Sequence, residues 1–180
     1  MIRLPIKCLV DTNVPKTANL ASKPNNISVE LQQCVLACVE AVEHVVSKGK
    51  LVIDAGNEIY NEYHNQLSMS GQPGVGDRFM KWVHDHQWNP QKTDRVAITR
   101  DGDTFKEFPQ HDGLTDFDIS DRKFIAVANT HIEKPPILQA TDSKWWGWKE
   151  PLSDVGITVN FLCPDFIEAK YLKKMGSRGT

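Results

Sequence analysis

The run Ile6-Lys7-Cys8-Leu9-Val10-Asp11-Thr12-Asn13 decides how the chain is read. Ile6 to Val10 is an apolar stretch of strand length that stops on a carboxylate and two short polar residues. A strand of this kind belongs inside a parallel sheet, where both faces are covered. Ligands in open α/β sheets bind at the carboxyl ends of the strands, where Asp11 would stand. One acid there proves nothing, so the reading depends on whether other acids reach the same edge.

Three further segments repeat the pattern. Lys50-Leu51-Val52-Ile53-Asp54 is a short buried strand that again ends on an acid. Ile137-Leu138-Gln139-Ala140 runs into Thr141-Asp142, and residues 156–162 form a last strand before Pro164 opens a C-terminal helix to about Lys173. Between them lie helical periodicities. Ser28 to Lys48 carries Val35, Val39, Val42 and Val46 as one stripe, with Gly49 just beyond its end. Asn57 to Ser68 and Asp77 to His86 are shorter helices, and Ser120 is a suitable cap for one carrying Phe124, Ile125, Val127 and Ala128. The segment from Asn13 to Asn26, broken by Pro15 and Pro24, reads as loop, and residues 95–108 read as a β-hairpin around Asp101-Gly102. The rhythm implies one α/β/α sandwich over residues 1–180, with a mainly parallel sheet and the hairpin as a rim insertion.

Composition sets the limits. With 180 residues, 40% hydrophobic and 24% charged, the chain suits one soluble domain. No apolar run approaches the roughly 18 residues of a membrane span, and no signal-peptide core is visible, so a cytoplasmic protein is expected. Cys8, Cys34, Cys38 and Cys163 form no CxxC pair and read as buried, reduced thiols. No histidine spacing suggests zinc, and His84 and His86 read as surface residues. A net charge of −2 supplies no global pull on nucleic acid, leaving a local basic patch or bridging cations to provide one. The glycine-rich run 71–76 has no strand before it and makes a poor phosphate loop.

The acids then fall into place. Asp11 ends the first strand, Glu62 sits about two turns into the helix after the second, Asp121 lies in the first turn of the helix after the hairpin, and Asp142 ends the next strand. Carboxylates brought together raise one another's pKa unless a cation neutralises them. Mg²⁺ or Mn²⁺ does so with oxygen ligands, and one or two such ions can activate water and stabilise a departing oxygen in phosphodiester hydrolysis. Asn13 and Thr141 could orient water or a phosphate oxygen. Lys144, with Arg122 and Lys123, flanks the same pocket and could meet phosphates.

The ordered pieces LVDTN (Leu9 to Asn13), EIYNEY (Glu58 to Tyr63), DISDRKFIAVA (Asp118 to Ala128) and ILQATDSKWW (Ile137 to Trp146) resemble the PIN-domain nucleases. VNFLCPDFI is similar to that family's final strand and helix. The resemblance implies a Rossmann-like fold and a Mg²⁺- or Mn²⁺-dependent endoribonuclease acting on single-stranded RNA. It further implies a possible toxin–antitoxin or defence setting, with an antitoxin or other regulatory protein as partner, and dimers. It assigns Asp11, Glu62, Asp121 and Asp142 to the metal and catalysis, and Asn13, Thr141 and Lys144 to the substrate. Glu58 competes with Glu62, and Asp116 and Asp118 crowd Asp121. The length of the chain, the hairpin and the group Trp145, Trp146 and Trp148 depart from the minimal pattern. Those tryptophans suit either base stacking or cover of the core or a dimer seam. Asp54 reads as a strand-end turn residue, and the basic tail Lys170 to Arg178 as an ordinary terminus.

Rival classes are weaker. A haloacid-dehalogenase-type phosphatase wants a second Asp where Asn13 stands, and a receiver domain wants paired acids at the first strand and a late Lys. An inert PIN-like scaffold that binds nucleic acid or protein is the serious alternative.

Overall fold

The computed structural model describes residues 3–70 and 74–177. Five parallel strands form one sheet in the order β3-β2-β1-β6-β7. They are β1 (Lys7–Val10), β2 (Lys50–Asp54), β3 (Thr93–Val96), β6 (Ile137–Gln139) and β7 (Val159–Phe161), with β4 (Arg100–Asp101) and β5 (Thr104–Phe105) a separate antiparallel pair. The helices are α1 (Asn13–Asn19), α2 (Val29–Lys48), α3 (Glu58–Gln66), α4 (Val75–His86), α5 (Arg122–Thr130), α6 (Lys144–Gly147), α7 (Lys149–Asp154) and α8 (Pro164–Gly176). Leu51 to Asp54 and Ile137 to Gln139 are all buried. Successive strand side chains point to opposite faces, so helices cover the sheet on both sides. No helix among the described residues is long and apolar enough to cross a membrane.

β1 is the strand on which the order turns. It pairs with β2 through Lys7↔Lys50 and Cys8↔Leu51. On its other side it pairs with β6 through Leu9↔Ile137 and Val10↔Leu138. The chain therefore builds the sheet outward from β1 in one direction and then returns to build it in the other. Asp11, the next residue after β1, lies at that reversal, where doubly wound sheets open a crevice.

Several expectations are corrected. The segment after Asn13 is not loop throughout, because α1 occupies Asn13–Asn19. Pro15 falls in its first turn, where a missing N–H costs nothing. Val14, Pro15, Thr17 and Ala18 are buried, and the helix packs on α2 and α4. The approach is so close that a Cβ on Gly76 would sit 2.0 Å from the Pro15 carbonyl oxygen. That fixes the role of the glycine-rich run: Gly76 belongs to α4, Asp77 Oδ2 accepts from Gly74 N–H at 3.3 Å, and residues 71–73 lie outside the described set.

The hairpin expected over 95–108 shrinks to β4 and β5, joined through Gly102 at φ 60°. Thr93 to Val96 instead form a parallel edge strand on β2. Their polar sequence, Thr-Asp-Arg-Val, hid a strand whose Asp94 is consumed by ion pairs with Lys7 and Lys50. On α2 the core face is Cys34, Val35, Cys38, Ala41, Val42 and Val45, while Val39 and Val46 flank it half-buried. Cys34 and Cys163 are joined in a disulfide, contrary to the reduced state expected for all four cysteines. The pairing links α2 to the entry of α8 across 129 positions, a proximity no local spacing displays. Cys8 and Cys38 are free and buried, and burial pushes both thiols up to about 12.

Candidate functional site

Asp11 is 1% exposed, and its Oδ1 accepts the backbone N–H of Asn13 at 2.8 Å. That turn fixes the carboxylate as the chain leaves β1 for α1. From the next strand crossover comes Glu62 on α3. Thr12 Oγ1 donates to its Oε1, and the Lys123 ammonium pairs with its Oε2. Beneath these, the buried Tyr63 hydroxyl donates to the Val10 carbonyl, tying α3 to the end of β1.

The base of α3 is held by Asp54. Its two oxygens accept from Glu58 N–H and Ile59 N–H, each at 2.8 Å, satisfying orphan donors of the helix start. Asp54 is thus the strand-end residue expected of it. Glu58, the competing glutamate, is engaged by Arg100 at 2.7 and 3.1 Å.

The other two acids come from the second half of the chain. Asp121 occupies the cap position of α5 without capping it. The cap expected of Ser120 is absent; instead Asp118 Oδ1 accepts from Ser120 N–H at 3.1 Å. Freed from the helix, Asp121 Oδ2 accepts the indole N–H of Trp145 at 3.0 Å. Asp142 follows β6 and its Oδ1 accepts from Lys144 N–H at 3.0 Å.

These four carboxylates feel one another. Asp11 is raised well above the ordinary carboxylate range, first by burial, then by Asp121, with Glu62 and Asp142 adding. The Asn13 N–H works the other way. Asp121 is pushed up to about 6, first by burial, against the Trp145 hydrogen bond, with Asp118, Asp142 and Glu62 contributing. Burial, then Asp11 and Glu62, also raise the Tyr63 phenol. Glu62, Asp121 and Asp142 therefore all lie within electrostatic reach of the buried Asp11.

The remaining candidates divide. Asn13 contributes its backbone N–H to Asp11, and Thr141 lies with its Oγ1 3.4 Å from Thr17 Oγ1. Lys144 is exposed and pairs with Asp118 at 2.8 Å, while Asp116 is exposed. Arg122 is spent on the Phe117 and Thr115 carbonyls, at 3.2 and 2.8 Å. The tryptophans part company: Trp145 is fully buried beneath Asp121, Trp148 packs on Phe117, and Trp146 packs on Phe161 under Lys149. Thr12, Tyr63, Lys123 and Trp145 were not singled out as partners of the acids. Only their neighbourhood in sequence to Asp11, Glu62, Asp121 and Asp142 offered a hint.

Among the described residues no group of three or more His, Cys, Asp or Glu is placed to hold a metal ion, and Lys123 supplies a cation at Glu62. The donor chemistry nevertheless suits a hard divalent ion. All donors are carboxylate oxygens, and the charges acting most strongly on the buried Asp11 are negative. Neither family models, curated proteins nor solved structures match this chain.

Proposed function

We propose that the protein is a Mg²⁺- or Mn²⁺-dependent endoribonuclease of PIN-like type that hydrolyses phosphodiester bonds of single-stranded RNA. The observation that carries this reading is the electrostatic reach of Glu62, Asp121 and Asp142 onto the buried Asp11, which has no ion-pair partner among the described residues. Structural proteins pair or neutralise buried charges, and strongly raised carboxylates in a cleft mark functional sites. Asp11, Asp121 and Asp142 would hold the ion, with Glu62 completing the set. When bound, the ion offsets the carboxylate repulsion, favours an ionised water and stabilises charge on the phosphate.

The chain's own residues do the positioning. The Asn13 N–H fixes Asp11, the Trp145 indole fixes Asp121, and the Lys144 N–H fixes Asp142. Thr12 and Lys123 hold Glu62, whose free lone pairs can orient a water for attack in line with the leaving oxygen. The Lys123 ammonium can shift from Glu62 toward a phosphate as negative charge accumulates there.

Labelled single-stranded RNA incubated with Mn²⁺, Mg²⁺ or EDTA tests the reading. Cleavage should require the metal and fall at least about 100-fold in Asp11→Asn, with the fold retained. Uncut RNA under every metal, or equal cutting by Asp11→Asn, sinks it.

A second reading, an inert PIN-like module that binds nucleic acid or protein, is favoured by the ion pairs Lys123–Glu62 and Lys144–Asp118. They bring internal cations to the acidic centre and its rim. It expects RNA or protein binding without cleavage and no thermal shift with Mn²⁺.

A further inference from the structure

Beside the acids, α6 and α8 enclose a groove of about 580 Å³ whose walls carry Lys144, Lys170, Lys173 and Lys174. A second hollow of about 450 Å³ continues from it toward Asp118 and Trp148, and Lys144 and Tyr171 line both. The two make one channel along the outside of α8. Its inner end adjoins the negative centre through the chain itself: Thr141, Asp142, Ser143 and Lys144 are consecutive. Lys170 Nζ donates to the Thr141 carbonyl at 2.9 Å, binding α8 to the strand end that carries Asp142.

The lysine lining points to an anionic occupant. Lys173 and Lys174 are exposed on successive positions of α8, on a chain whose net charge is −2, so the patch is local rather than a general surplus. Ser143, beneath the groove, is 0% exposed, and its Oγ has no hydrogen-bond partner among the described residues. Tyr171 presents an aromatic wall that Gly147 keeps in place, since a Cβ there would lie 2.9 Å from the ring.

We propose that this α6–α8 groove carries the sugar-phosphate backbone of single-stranded RNA to the acidic centre. Lys173 and Lys174 meet successive phosphates, and Tyr171 stacks on a base. Lys144 and Lys170 stand at the inner end, their ammonium groups already held by Asp118 and Thr141. The proposal deepens the nuclease reading by giving that site its substrate path, and it rests on that reading only for direction, not for binding.

Binding is measured in EDTA, where no metal-dependent cleavage occurs, with a fluorescein-labelled 12-nucleotide oligouridylate and anisotropy between 50 and 200 mM salt. Lys173→Gln/Lys174→Gln should weaken binding at least about tenfold and lower the salt slope by about 1.4, roughly 0.7 per lost phosphate contact. Arg78→Gln/Lys81→Gln on α4 removes the same charge from an exposed surface elsewhere and should leave both values unchanged. Lys174→Glu alone reads the same effect should the double variant melt early. Wild-type affinity in Lys173→Gln/Lys174→Gln, equal losses in the α4 pair, or no binding by the wild type overturns the groove. Binding that behaves as expected with no cleavage under any metal overturns the nuclease reading and leaves the groove standing.

Discussion

The two ends of the same sheet treat carboxylates in opposite ways. At the amino end, Asp94 of β3 meets Lys50 Nζ at 2.6 Å, Lys7 Nζ at 3.1 Å and His131 Nε2 at 3.3 Å. Burial alone would raise it, yet the hydrogen bonds from Lys50, Lys7 and His131 bring it down to about 2. At the carboxyl end, Asp11 and Asp121 are raised, and the leading charges upon them are other carboxylates. The first arrangement is a clasp that joins three strands. The second stores repulsion that a cation or a proton must relieve, and it is the end on which a search for chemistry should concentrate.

Divalent ions sharpen this contrast most. Mn²⁺ at about 100 times its Kd should stabilise the wild type by about 2.7 kcal/mol, read as a rise in Tm. Asp11→Asn should show almost none of that rise while melting higher than the wild type without metal. A wild type indifferent to Mn²⁺ would return the carboxyl end to the status of a folding cost with no recipient.

The pH dependence separates the ends by sign. Asp121 titrates near 6 when folded against 3.8 unfolded, so its contribution is full below pH 4 and is lost as pH rises through 6. Metal-free protein should lose about 3 kcal/mol over that window, and Asp121→Asn should flatten the loss. A profile unchanged by the substitution would show that the repulsion lies elsewhere.

Asp94 should act in reverse and more weakly. Its folded value near 2 lies below 3.8, so its contribution is full above pH 3.8 and fades as pH falls through 2. A quarter of the side chain is exposed, and screening limits the effect of Asp94→Asn to about 1 kcal/mol at neutral pH. Urea melts at pH 7 and pH 3 measure it; a larger loss at pH 3 than at pH 7 would contradict the clasp.

Much of this was legible in the chain. Strands that end on acids announce both the parallel sheet and the edge at which Asp11 and Asp142 stand, because burial on two faces demands an unbroken apolar run and its end must turn. Glu62 and Asp121 are reached through the family resemblance, with Glu58, Asp116 and Asp118 as competitors. What escaped were features created by contact between distant segments. α1 was hidden because Pro15 is a breaker everywhere except in a first turn. β3 was hidden because Asp94 and Arg95 spoil its hydrophobic pattern, and only Lys7 and Lys50 explain why Asp94 is tolerated there. The coupling of Trp145 to Asp121, of Lys123 to Glu62 and of Cys34 to Cys163 has no signature at short range.

The pairing of β1 with β6 has a kinetic consequence. It joins Leu9 to Ile137 and Val10 to Leu138, so closing it spends the entropy of a very long loop. Until that contact forms, Asp142 stays apart from Asp11 and Glu62, whereas Asp121 comes with α5, which packs on β2 and α3. The repulsion from Asp142 is therefore added only as β6 docks. Its relief, whether by protons or by divalent ions, should slow unfolding and leave the folding rate almost untouched, which makes the acidic centre a setting on the lifetime of the native state.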